Sequence, residues 1–227
     1  SIAAALLLNI SFLTIFQNGS LESQLVSFGP VGLDILLDGF AGFFIGIISF
    51  MAIMSAFYSI QYMEHYPEYK LWSYYLCFPL FILGMIGIVT VDDLSTGFTA
   101  AWQIMTIASY FLIRFEYREK GNVWNANKYL ILMEIAWVLI LAGTFLIDGF
   151  AWGDSIPTIV AKLGATKGLS LMGGYGLILL GFGFKAGMFP FGQLWLPDAH
   201  SIAPSPISAL LSGVMIKTGV YGISRPF

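Results

Sequence analysis

Two lysines, Lys185 and Lys217, interrupt the apolar run GLILLGFGFKAGMFPFGQLWLPDAHSIAPSPISALLSGVMIKTGVYGI near the C-terminal end of a 227-residue chain. A charge at the centre of a spanning helix costs about 2.5–3.5 kcal/mol on insertion scales, so such residues mark ion paths, partners or gates. Lys185 lies five residues before Pro190, whose ring removes the backbone hydrogen bond to the carbonyl of Ala186. Backbone freed in this way must face protein or water, and beside an intramembrane lysine it resembles an ion site near the bilayer midplane. The competing reading of Lys185 is a side chain snorkelling to the interface. Lys217 stands about eleven residues into the last apolar segment, roughly 16 Å along a helix axis and close to mid-bilayer. Ser208 and Ser212 step toward one side of it. A lysine buried at that depth can exchange a proton rather than merely carry charge, or it can pair with an acid from a partner.

Glu134 is the carboxylate placed well inside an apolar segment, six residues and about 9 Å beyond Lys128. It suits a proton relay or a counter-ion, and equally a glutamate facing a shallow hydrated vestibule. His200, in WLPDAHSIAP, reads as a loop histidine whose ordinary pKa near 6.5 suits proton shuttling, with simple solvation as the alternative. Asp34 and Asp38 are spaced to cap a helix start. The glycines of GGYGLILLGFGFKAG form no nucleotide loop, since no strand precedes them and no phosphate-binding signature follows. Gly183 and Gly187, four apart, read as a close helix-packing pair.

These residues must be held by membrane helices. The chain is 58% hydrophobic and only 10% charged, with a mean hydropathy of +0.82. Soluble domains carry about 25% charged residues, so the expected class is an all-α polytopic membrane protein in a lipid bilayer. The net charge of −3 argues against a nucleic-acid role, which needs a basic face. A single cysteine, Cys77, excludes an internal disulfide, a multi-cysteine zinc site and an iron–sulfur cluster. No catalytic residue, metal ligand or cofactor site is therefore expected in this chain. The N-terminal stretch lacks a charged leader and reads as a helix entered midway.

About seven spans are expected: Ile2–Phe16, Leu33–Ile60 after the turn Gly29-Pro30, Trp72–Thr90, Leu94–Ile113, Tyr129–Ile147, Leu171 to about Pro190, and Pro206–Ile223. The third contains Pro79, tolerated where neighbours satisfy the freed carbonyl. Asp92 or Asp93 caps the fourth. A linker, Asp148–Ser170, with Trp152 and Pro157, suits the interface. The sixth span breaks in the Lys185–Pro190 region and resumes toward Leu196, so Pro190, Pro197 and Asp198 form a connector. Loops on one side carry Lys70, Arg114, Arg118, Lys120 and Lys128, against Lys162, Lys167 and Arg225 on the other. The positive-inside rule then makes the Arg114–Lys128 loop cytoplasmic. Trp72, Tyr74, Tyr75, Trp124 and Tyr129 fall where interfacial aromatic belts are expected.

The stretch FKAGMFPFGQLWLPDAHSIAPSPISALLSGVMIKTGVYGISR resembles the antiporter-like family shared by Mrp-type cation/proton antiporters, the proton-pumping subunits of complex I, and group 4 membrane-bound hydrogenases. SGVMIKTGVYG is most similar to the hydrogenase-related branch. LDILLDGF and DDLSTGFTAAWQIMTIASYFLI resemble the family's helix starts and its fifth helix. The resemblance implies a single antiporter-like domain over residues 1–227, part of a fold of about fourteen helices. This copy would lack the first helix and the C-terminal half, as a partial or split chain.

The resemblance also implies roles. Lys185 corresponds to the broken-helix lysine, Lys217 to the central lysine of the hydrophilic axis, and His200 to the connector beside it. The family places a glutamate next to tryptophan as partner of the first lysine, whereas this chain has Trp102-Gln103. Glutamine can hydrogen-bond but cannot titrate. The implied function is translocation of protons, or exchange of sodium for protons, in a redox-driven complex of the plasma membrane. Further antiporter-like subunits and peripheral subunits bearing redox centres such as iron–sulfur clusters would be its partners. The alternatives are a subunit of a stand-alone Mrp-type antiporter and a proton-silent structural subunit, the latter because of Gln103.

Overall fold

The computed structural model describes residues 2–16, 21–28, 31–148 and 169–225. The Gly29-Pro30 turn and most of the Asp148–Ser170 linker lie outside them. Helix α1 (Ile2–Phe16) lies along α2 (Gly39–Tyr62), where Ser11 and Thr14 pack over Gly42 and Ser11 Oγ donates to the Gly42 carbonyl. Between them runs an antiparallel hairpin, β1 (Leu21–Phe28) and β2 (Val31–Leu37), with Phe28 opposite Val31 and Leu21 opposite Leu37. The helical architecture therefore carries one small sheet. Residues 33–37, expected to open the second helix, are strand, and Asp34 lies in β2. The helix begins at Gly39 because Asp38 caps it, accepting the Ala41 amide at 2.8 Å. Asp38 also pairs with Arg225 at the far end of the chain.

A short 3₁₀ turn, Met63–His65, leads to α3 (Leu71–Thr90), which continues through Pro79 without a break. Asp93 then starts α4 (Thr96–Ile113), its carboxylate accepting the amides of Ser95 and Gly97. Gly84 packs against Met105 and Gly87 against Ala101, so α3 and α4 run antiparallel in close contact. Helix α5 (Asn122–Asp148) starts seven residues earlier than the apolar run at Tyr129 suggested. It packs antiparallel on α6 (Leu169–Ala186) through Gly143, Gly174 and Gly181. Helix α7 (Gly192–Ile202) follows, then α8 (Ser205–Ser224), which is π-helical over Leu211–Met215 and α-helical on either side.

Among the described residues, four helices are long and apolar enough to cross a membrane: Gly39–His65, Leu71–Thr90, Asn122–Ile147 and Ser205–Ser224. The buried core is aromatic and sulfur-rich. Tyr74, Phe81, Met85, Phe98, Trp102 and Met105 meet Tyr129, Met133, Phe182, Trp195 and Met215 at its centre. Tyr74 and Tyr129 were expected in an interfacial belt, yet both are buried here. Their hydroxyls explain this, since each finds a buried serine, Ser59 for Tyr74 and Ser109 for Tyr129, both at 2.7 Å. Trp72, Tyr75 and Trp124 are exposed, as a belt requires.

Candidate functional site: a buried lysine beside a broken helix

Helix α6 stops directly after Lys185, and glycine stops it. Gly187 adopts φ +72°, a left-handed conformation that costs a residue with a Cβ about 1–2 kcal/mol. The Gly187 amide donates to Phe184 O at 3.3 Å and the Met188 amide to Gly183 O at 2.9 Å. This pair of bonds is a Schellman closure, with Gly187 as its left-handed residue. Gly183 and Gly187 thus serve the helix end rather than a helix–helix contact. Pro190 lies in the intervening turn, and α7 begins two residues later. The indole Nε1 of Trp195, in the first turns of α7, donates back to Phe184 O at 2.9 Å, so the carbonyls at the end of α6 are met from across the break.

Lys185 occupies the last turn of α6, where the helix dipole favours a cation. Its side chain is fully buried. Nζ sits 5.0 Å from the Trp102 ring centroid and 5.9 Å from that of Tyr129, two cation–π contacts that hold charge without neutralising it. Among the described residues Nζ has no hydrogen-bond partner, and neither do Trp102 Nε1 and Thr106 Oγ1 on the adjoining face of α4. The nearby carboxylate comes from α5. Glu134 Oε2 accepts from Gln103 Nε2 at 2.9 Å and lies within Coulombic range of Lys185. Trp102 and Gln103, neighbours in sequence, therefore divide the work: one supports the lysine and the other holds the glutamate.

Tyr129 ties this site to the next one. Its ring packs tilted against Trp195, its hydroxyl meets Ser109, and it reaches Met215 Sδ at 3.5 Å in the π-helical segment of α8. Gly219 of α8 packs directly on the backbone of Lys185 and Ala186. Two residues earlier stands Lys217. It is exposed in this structure, against the burial expected from its depth in the segment. The reason is the facing of α8: Thr218, Gly219 and Tyr221 turn inward, and Lys217 turns away. Its Nζ donates to Ser212 O at 2.6 Å, five residues back, at the π-helical segment. Ser212 Oγ donates to Ser208 O at 3.0 Å, and Ser208 Oγ meets His200 Nδ1 at 2.8 Å. His200, Ser208, Ser212 and Lys217 thus form one polar line.

His200 is not a loop residue, because α7 extends through it to Ile202. Pro197 and Asp198 likewise sit in helix rather than connector. Asp198 pairs with Lys128 at 2.9 Å, linking α7 to the start of α5 at a partly exposed contact. Of the residues singled out from sequence, Lys185, Glu134 and Gln103 converge, His200 joins Lys217, and Asp198 is structural. The aromatic platform of Trp102, Tyr129 and Trp195 carried no sequence signal apart from the tryptophan beside Gln103. Among the described residues no group of His, Cys, Asp and Glu side chains could hold a metal ion.

Comparison with known proteins gives this buried lysine and its helix break a lineage. Residues 92–227, more than half of the chain, match the transmembrane family described as NADH:quinone oxidoreductase/Mrp antiporter. The chain belongs to this antiporter-like family. It is 31% identical to hydrogenase-4 component B of Escherichia coli over 197 residues, covering 85% of this chain and 28% of that protein. It is 29% identical to the Na(+)/H(+) antiporter subunit A1 of Staphylococcus haemolyticus over 221 residues, 95% of this chain and 27% of the relative. The fold matches a chain of the membrane-bound sulfane sulfur reductase, an archaeal respiratory membrane complex. There the TM-score is 0.84 at 22% identity, over 98% of this chain and 45% of that one. The antiporter-like chain described here thus spans less than a third of the length of these two curated relatives, and its fold is that of polytopic membrane subunits.

Proposed function

We propose that this antiporter-like subunit translocates protons, or exchanges sodium for protons, and that Lys185 and Glu134 carry the step nearest the helix break. One observation carries the reading: Gln103, at the position where the family resemblance places a glutamate, holds the carboxylate of Glu134 by hydrogen bond beside Lys185. The titrating acid has moved one helix over and the glutamine now positions it. Three buried polar atoms without hydrogen-bond partners among the described residues, Lys185 Nζ, Trp102 Nε1 and Thr106 Oγ1, suit a path lined by water. From there the line of Lys217, Ser212, Ser208 and His200 continues the route along α8.

In this reading α6 and α7 form one broken span, α1 and α4 complete a set of seven, and the Arg114–Lys128 loop faces the cytoplasm across the plasma membrane. The subunit works within a larger redox-driven complex whose partner subunits hold the redox centres. Names of relatives in both hydrogenase and Na(+)/H(+) antiporter systems support the class, and a stand-alone antiporter is the other transport setting. Co-purification separates them: iron–sulfur partners mark the redox complex, and only small membrane partners mark the antiporter.

The test is ion uptake by vesicles containing the intact complex. Glu134→Gln and Lys185→Ala are each expected to abolish uptake. Normal uptake in both would favour a second reading, a proton-silent structural subunit, for which the titratable family glutamate replaced by Gln103 is the supporting observation.

A further inference from the structure

On the side of the molecule that carries the basic loops, a cleft of about 360 Å³ opens where α3 begins and α4 ends. Lys70, Trp72 and Ser73 line it from one side, and Phe111, Arg114 and Tyr117 from the other. The cleft is within the size range of small-molecule sites, yet it has no part in the lysine pathway. Arg118, close by, is taken by Glu68 at 2.9 Å, whereas Lys70 and Arg114 have no carboxylate partner among the described residues. Among the described residues Arg114 donates to the Tyr110 hydroxyl, at 3.2 Å.

The apolar surroundings say what kind of anion fits. Trp72, exposed beside the charges, begins a stripe on α3 that continues through exposed Leu76, Leu80 and Leu83. Phe111 begins a matching stripe on α4 through exposed Ile107 and Ile104. Both run from the cleft toward the middle of the membrane, at spacings of three and four residues that keep each on one helix face. A soluble phosphate would need only the charges. Two cations at the membrane boundary above two apolar stripes match an anion with acyl chains.

We propose that this cleft binds the headgroup of an anionic glycerophospholipid. Lys70 and Arg114 contact the phosphate, Ser73 donates a hydrogen bond, and the acyl chains lie along the α3 and α4 stripes. Basic pockets between membrane helices recognise anionic headgroups by the same combination.

The experiment is native mass spectrometry of the intact membrane complex, stripped of lipid and then titrated with phosphatidylglycerol or phosphatidylcholine. The wild-type complex is expected to retain one phosphatidylglycerol per copy of this chain in preference to phosphatidylcholine. The Lys70→Gln/Arg114→Gln variant should bind it about thirty-fold more weakly, with phosphatidylcholine unaffected. Lys70→Arg/Arg114→Lys should keep binding within a few-fold, which separates lost charge from a misfolded cleft. Lys120→Gln, an exposed basic residue outside the cleft, should change nothing. Equal loss of both lipids, no loss in the glutamine variant, or displacement of phosphatidylglycerol by millimolar inorganic phosphate would each overturn the proposal. So would a photo-crosslinker at Trp72 that attaches to a protein subunit instead of lipid.

Discussion

The Gln103 amide and the Glu134 carboxylate meet at 2.9 Å across the α4–α5 interface, and this bond decides how the site around Lys185 is read. A glutamine at position 103 removes the acid that the family pattern supplies from α4. The structure shows the amide of Gln103 bonded to an acid from α5. Glutamine is the side chain suited to such a replacement, because its amide hydrogens donate to a carboxylate whereas a second glutamate would repel it.

A swap tests that exchange of roles. Glu134→Gln should lower ion uptake at least tenfold, a modest demand for loss of a proton-transfer group. Adding Gln103→Glu to that variant returns an acid to the same hydrogen-bonded pair with the roles reversed, and uptake should recover in part. Uptake in the double variant as low as in Glu134→Gln alone would mean that the position of the acid, not its presence, is required. Wild-type uptake in the single variant would exclude Glu134 from the path.

The ion pair between Lys128 and Asp198 should be weak. Both side chains keep more than a third of their surface exposed, so solvent and salt screen the 2.9 Å contact. A double-mutant cycle with Lys128→Gln and Asp198→Asn is expected to give a coupling of about 0.2–1 kcal/mol, smaller at high salt. A coupling above about 2 kcal/mol would mean that the pair is buried in the assembled complex.

Much of this arrangement was legible in the sequence, for identifiable reasons. Long apolar runs report helices because lipid satisfies no backbone groups, and Asp38 and Asp93 announced helix starts through their side-chain acceptors. Lys185 stood out because charge is rare at that depth. What stayed hidden depends on which way a helix face turns. Lys217 and Lys185 look alike in sequence, yet packing of Gly219 on the end of α6 turns one outward while the other is enclosed by Trp102 and Tyr129. Tyr129 at a span boundary passed for a belt residue because its partners, Ser109 and Met215, are 20 and 86 residues away. The hairpin was missed because LDILL reads equally as strand or helix, and short apolar runs do not separate the two. His200 is helical because its helix continues through Pro197 to Ile202.

Gly187 offers a test of the break itself. Its φ of +72° and the two Schellman bonds make it the residue that ends α6 after Lys185. Gly187→Ala leaves room for the added methyl, since Leu196 Cδ2 is the nearest atom at 3.5 Å, so the cost is conformational rather than steric. The variant should lose about 1–2 kcal/mol of stability in thermal unfolding of the detergent-solubilised complex. Gly187→Asn should lose less, because asparagine tolerates the left-handed region. Equal losses for both would show that the left-handed backbone is not what Gly187 provides.

Lys185→Met separates the cost of the lysine from its use. The lysine holds a fully buried nitrogen that no described residue hydrogen-bonds, an arrangement that works against folding. Methionine fills nearly the same volume, keeps contact with the Trp102 and Tyr129 rings through its sulfur, and brings no charge to desolvate. Lys185 forms no ion pair among the described residues, so removing its charge relieves a desolvation cost without breaking a buried salt bridge. The Glu134 carboxylate offsets part of that gain, since it loses an attractive neighbour while keeping the Gln103 amide. The variant is therefore expected to unfold at the wild-type temperature or a few degrees above it while losing ion uptake altogether. A lower unfolding temperature would show that Lys185 braces the helix break. Retained uptake with methionine in place would remove Lys185 from the path and leave Lys217 and Glu134 to account for transport.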